Sequence, residues 1–124
     1  MSIHMRNAKR DDAERAIVER LRQLGAQVTH LSGEGVPDLL VAWRGLTRLA
    51  EVKTGKATMT PQQRQARLTP AQIKFHAAWS GSPIPILTTA DEATDWILSL
   101  RKAAAREAEA SNHHHEATEE LEDS

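Results

Sequence analysis

The chain has no cysteine and no tyrosine, and only one phenylalanine and three tryptophans in 124 residues. Without thiols there can be no disulfides, no thiolate metal site and no cysteine nucleophile. With so few rings, Leu, Ile, Val and Ala must fill the core. No apolar run approaches the roughly 20 residues that span a bilayer. The first six residues lack the apolar stretch of a secretory signal. The default expectation is a cytoplasmic protein with no membrane partner. Net charge is also small, −1 overall, but that figure conceals a split. Residues 1–102 carry 15 Lys/Arg against 10 Asp/Glu, whereas residues 103–124 carry one against seven. A mildly basic body permits a nucleic-acid partner without requiring one. The acidic end reads as a solvated, flexible tail. The expected organisation is one domain over 8–102 and a tail over 103–124.

The pattern along the chain predicts a mixed α/β domain in the order α-β-β-β-α-β-α. Asp11 and Asp12 can cap a first helix whose apolar stripe is Ala13, Ile17, Leu21 and Leu24, with Gly25 as its stop. Ala26 to Leu31, Asp38 to Trp43 and Thr47 to Lys53 read as strands. A polar loop over 55–68 holds Lys56, Arg64 and Arg67, with a short helical turn at Thr60-Pro61-Gln62-Gln63. Thr69-Pro70-Ala71-Gln72 opens a second helix: Thr69 caps, Pro70 suits the first position and Gln72 closes a capping box. Ile84 to Leu87 is a short strand that Pro85 assigns to an edge. Thr89 and Glu92 begin a last helix expected to fray after Lys102.

Three residues then converge. If Arg44-Gly45 is a two-residue hairpin loop, Trp43 faces Leu46 and Asp38 faces Glu51, with Cβ atoms about 5 Å apart. Lys53, two positions on, projects from the same face as Glu51. A four-residue loop would instead set Asp38 against Lys53, still on that face. A three-residue loop would break the parity unless a bulge restored it. Two carboxylates at a sheet end suit a hard divalent cation such as Mg²⁺ or Mn²⁺, and the Val52 carbonyl lies between the functional side chains. Such an ion would activate a water and offset charge on a phosphodiester transition state. Lys53 would serve the water or the developing charge.

Pro37-Asp38 followed by Glu51-Val52-Lys53 resembles the PD-(D/E)xK nuclease signature. Gly35-Val36-Pro37-Asp38-Leu39-Leu40 and Leu68-Thr69-Pro70-Ala71-Gln72 around it resemble the VRR-NUC domain, over roughly residues 10 to 100. The resemblance implies a restriction-endonuclease-like α/β core, a mixed β-sheet flanked by helices. It also implies a Mg²⁺- or Mn²⁺-dependent DNA endonuclease and, as in Holliday-junction resolvases, a homodimer acting on branched DNA. It further implies an acidic residue from the first helix near the metal, Glu14 with Glu19 as fallback, acting directly or through water. Gln72 would close the site from the following helix. The competing reading is a non-catalytic DNA-binding or assembly module with the same fold. A third keeps the site but changes the substrate to linear duplex or RNA.

Blander readings stand beside these. Pro-Asp and Glu-x-Lys can mark a salt-bridged sheet edge, and Glu14 can simply favour a helix dipole. His30 and His76 read as ordinary strand and helix residues, and His113-His114-His115 is assigned no function. Trp43, Trp79 and Trp96 fit core positions. Lys56, Arg64 and Arg67 suit either phosphate contact or a solvated loop.

Overall fold

Four glycines at positive φ and two Thr-Pro-x-Gln helix starts divide the chain into its elements. In the computed structural model the order is α1 (Ser2–Gln23), β1 (Gln27–His30), β2 (Leu39–Trp43), β3 (Leu46–Val52), α2 (Pro61–Gln65), α3 (Pro70–Ala78), β4 (Ile86–Leu87) and α4 (Ala90–Asp123). The structure describes residues 2–56 and 58–123, and side chains within 10–56 and 58–110. The fold is α/β: a four-stranded mixed sheet, order β1-β2-β3-β4, flanked by helices. β1, β2 and β3 run antiparallel, while β4 pairs parallel to β3. A parallel neighbour needs a crossover, which residues 53–85 supply through α2 and α3.

The hairpin register is the one that a two-residue loop dictates. Trp43 pairs with Leu46 and Leu39 with Ala50. Arg44 (φ 46°) and Gly45 (φ 83°) both adopt positive φ, the signature of a type I′ turn. Arginine is a poor residue there, and its guanidinium lies 4.7 Å from the Trp43 ring centroid, a cation–π contact that offsets part of the strain. Alternation then sorts the strands into two faces. Leu39, Val41, Trp43, Leu46, Ala50 and Val52 join Ile17, Leu21, Ala93, Ile97 and Leu100 of α1 and α4 in one core. Burying each large aliphatic there contributes roughly 1.5–3 kcal/mol, which fixes the register, because a one-residue slip would expose the whole set. The opposite face carries Leu40, Ala42, Leu49, Glu51 and Lys53.

Several expectations are corrected. α1 starts at Ser2, so Asp11 and Asp12 lie inside the helix and do not cap it; no Gly or Pro interrupts residues 2–24. α4 continues past Lys102 as helix, with Ala103 and Ala104 packed on the core and Glu107 bonded to Arg48 (3.4 Å). An Ala-rich stretch favours helix, and this one has a surface to bury against. Trp79 is not a core residue: it is 42% exposed, ends α3 and stacks on Phe75 at 5.9 Å. The capping box expected at Thr89 is half formed. Its Oγ1 accepts from the Glu92 amide (3.2 Å), but the Glu92 carboxylate turns to Thr88 and Arg64.

Candidate active site

Asp38 sits where β2 meets its preceding loop. The Leu31 amide donates to its carbonyl (2.9 Å), and buried Pro37 precedes it. The β2–β3 ladder ends at Leu39 and Ala50, so the next amide on that edge, Val52 N–H, has no strand partner. It donates to Asp38 Oδ2 at 2.8 Å. The Val52 carbonyl leaves the strand on the same side as its N–H and so faces the Asp38 side. Glu51 and Lys53 turn the other way in the backbone: their amides donate to Pro85 and Leu87 carbonyls at 2.9 and 3.0 Å. Pairing with β4 thus fixes the strand segment that carries both side chains.

Glu51 is fully buried. Burial comes first among the causes that push its carboxyl up to about 8, followed by the neighbouring Asp38 carboxylate; Lys53 and Arg10 pull the other way. Asp38, Glu51 and Lys53 are therefore brought together as the hairpin register predicts. Two neighbouring carboxyls resist simultaneous ionisation unless a cation joins them. Glu51 Oε2 is also buried and receives no donor from the described residues. An orphaned carboxylate oxygen beside a second carboxylate fits a hard divalent cation. Among the described residues no cluster of three or more His, Cys, Asp or Glu is arranged to hold an ion. Two carboxylates with backbone and water oxygens is a donor set that Mg²⁺ accepts and that tetrahedral N/S metals do not favour.

The remaining expected residues divide. Gln72 is on α3, with its Oε1 accepting from the Thr69 amide (2.9 Å) while its own amide donates to Thr69 Oγ1 (3.2 Å). The capping box thus occupies the side-chain oxygen. Glu14 Oε1 lies 3.3 Å from His30 Nδ1, and Glu19 lines the same surface hollow as both. Arg64 is committed to structure: it grips Glu92 with two nitrogens (2.8 and 2.9 Å) and donates to the Ile86 and Met59 carbonyls. Arg67 donates to the Thr54 carbonyl and so stays beside the segment that follows β3, next to Lys53.

Two site residues escape the sequence reading. Arg10, one helical turn before Glu14, donates to Asp38 Oδ1. His76 sets its Nε2 3.1 Å from Glu51 Oε1, and burial followed by the Lys53 charge pulls its pKa below the usual histidine range. Both stand four residues from residues that the sequence does flag, Glu14 and Gln72, and hence on the same helix faces. That spacing was the available signal.

A solved structure described as a VRR_NUC domain is similar to this chain, at 25% sequence identity and a TM-score of 0.55, covering 72% of this chain and 94% of that one. No protein-family model matches the sequence, and no curated protein matches it.

Proposed function

Because the chain has the VRR-NUC fold, a nuclease-domain fold, we propose that it is a metal-dependent endonuclease that hydrolyses DNA phosphodiesters. The observation that carries this reading is the buried Glu51 Oε2, which lacks a donor and stands beside Asp38 with Lys53 close by. Asp38 and Glu51 would hold Mg²⁺ or Mn²⁺, with the Val52 carbonyl beside them and Glu14 linked through water. Such an ion, when bound, supplies Lewis-acid activation of water and charge neutralisation at the phosphate. The chain's own residues do the rest. The Val52 amide holds Asp38 in place through Oδ2, while Arg10 donates to Oδ1. Lys53 offers an ammonium to the attacked phosphate or orients the incoming water. Gln72 closes the site from α3, and Lys56 and Arg67 extend positive charge along the adjoining loop. The preference for branched DNA and the two-copy assembly rest on kinship with VRR-NUC domains and Holliday-junction resolvases. No helix among the described residues is long and apolar enough to cross a membrane.

The test is a panel of labelled four-way junction, flap, linear duplex and RNA incubated with the purified chain. Cleavage of DNA with Mg²⁺ or Mn²⁺, abolished by EDTA, is expected. Lys53→Ala should lower the rate on the order of 10³-fold while DNA binding and melting temperature are kept. No cleavage of any substrate with either ion would identify a non-catalytic DNA-binding module. Preferential cleavage of RNA would overturn the substrate assignment.

A further inference from the structure

The histidine over Glu51 is the feature that the proposed chemistry leaves unused. The α3 helix that carries it is held at its first turn by a glycine. Gly35 has φ 77°, and a Cβ there would stand 2.7 Å from the Ala71 carbonyl oxygen. Only glycine lets the loop leading to Asp38 lie directly on the start of α3. The contact couples the position of the helix to the loop that delivers the first carboxylate. One and a half turns on, the His76 side chain is 14% exposed, with Nε2 3.1 Å from Glu51 Oε1. The two oxygens of Glu51 therefore have different fates. Oε1 has a protein partner, and Oε2 is buried with none.

We propose that His76 is a positioning residue: its Nε2–H donates to Glu51 Oε1 and so holds the carboxylate with Oε2 turned toward the cation site. The inference rests on the metal-dependent reading above. A glutamate has two rotatable side-chain bonds beyond Cβ, and a hydrogen bond at one oxygen selects how they are set and hence where the other oxygen points. A neutral imidazole suits the task better than an ammonium or a guanidinium, because it directs the oxygen without adding a positive charge that would repel the ion. Partners one layer out from a metal commonly set its affinity by 10- to 100-fold.

The experiment measures Mn²⁺ binding to the full chain, by titration calorimetry and by the electron paramagnetic resonance signal of free Mn²⁺. It compares the wild type with His76→Ala, His76→Leu, His76→Gln and Asp38→Asn. The expected result is a weakening of about 10- to 100-fold in His76→Ala and His76→Leu. His76→Gln, whose amide reaches about as far as Nε2 and can donate, should stay within about threefold of wild type. Melting temperatures are taken in parallel. If His76→Ala is poorly folded, the Leu and Gln variants carry the comparison. Unchanged affinity in both apolar variants overturns the inference, as does a Gln variant that melts like wild type yet binds as weakly as the Leu variant. Failure of the underlying reading looks different: the wild type would not bind Mn²⁺, or Asp38→Asn would bind it undiminished.

Discussion

Two shielded glutamates in this small protein sit in opposite circumstances. Glu92 on α4 has its lone pairs used: Arg64 grips it with two nitrogens, and the Thr88 amide and hydroxyl donate to it at 2.8–3.0 Å. Burial pushes its pKa up, but those bonds outweigh burial and bring it below the ordinary value. Glu51 on β3 is more deeply buried, faces another carboxyl and keeps one oxygen without a donor; its pKa is pushed up to about 8. The same side chain is a brace in one place and an unfilled coordination position in the other. The difference comes from the charges and donors around it, not from its burial. A satisfied buried ion pair ties elements together, here α2 to α4. An unsatisfied one stores affinity for something that has yet to arrive.

The contrast predicts that removing the charge has opposite effects at the two sites. Glu92→Gln removes the charge that the shielded Arg64 guanidinium grips with two nitrogens, and should cost about 3 kcal/mol in urea denaturation. At pH 9, where the Glu51 carboxyl has lost its proton, Glu51→Gln relieves the repulsion from Asp38 and gives it an amide donor. It should raise stability without metal by about 1 kcal/mol while abolishing cleavage. Equal destabilisation by both substitutions would erase the distinction drawn between them.

How much of this was legible in the sequence follows the range of the forces involved. The hairpin register, the Asp38–Glu51–Lys53 grouping and both Thr-Pro-x-Gln helix starts depend on alternation, turn chemistry and capping, all written within a few residues of each other. The structure bears them out. Arg44 at positive φ was the one local irregularity, and its stacking on Trp43 accounts for it. Contacts made across the fold were not legible. Nothing near Arg64 in the chain announces Glu92, 28 residues on, and nothing near His76 announces Glu51, 25 residues back. Arg64 thus read as a phosphate contact or part of a solvated loop, and His76 as an ordinary helical residue. The full extent of α4 was missed for a similar reason. Ala103 and Ala104 gain their helical stability from a core they reach only after folding.

A third way to sharpen the contrast uses pH. A carboxyl whose folded pKa stands above its ordinary 4.5 favours folding while it holds a proton. That contribution is full below about 4.5 and is lost as the pH rises through about 8. Glu92, with its lowered value, behaves oppositely: its contribution is present above about 4.5 and fades in acid. His76, also lowered, adds stability as the pH rises to its ordinary 6.5 and nothing beyond. Between pH 7 and 9 the Glu51 contribution is therefore the one of the three still changing. The melting temperature in chelator should fall across that interval, and Glu51→Gln should flatten the slope. Mn²⁺ binding at pH 7 should release close to one proton, read by calorimetry in buffers of different ionisation enthalpy. A wild-type melting temperature that is level from pH 7 to 9 would remove the argument that Glu51 waits in a protonated state.

The smallest expected effect concerns Arg10. Its guanidinium donates to Asp38 Oδ1, while Val52 N–H occupies Oδ2, so the carboxylate is already partnered before any ion arrives. The Arg10 side chain is 48% exposed, which lets water screen its charge and lets it swing away cheaply. As an internal cation it competes with the divalent ion for Asp38. It also pulls the Glu51 pKa down, which favours binding. Direct competition acts at hydrogen-bond contact and the second influence at longer range, so the first should win. Arg10→Met is expected to tighten Mn²⁺ binding by about three- to tenfold, measured at pH 9, above the Glu51 value of about 8, where protonation of Glu51 weighs least. Weaker binding in that variant would show instead that Arg10 holds Asp38 in its ligating orientation. Asp38 would then resemble the braced Glu92 more than the waiting Glu51.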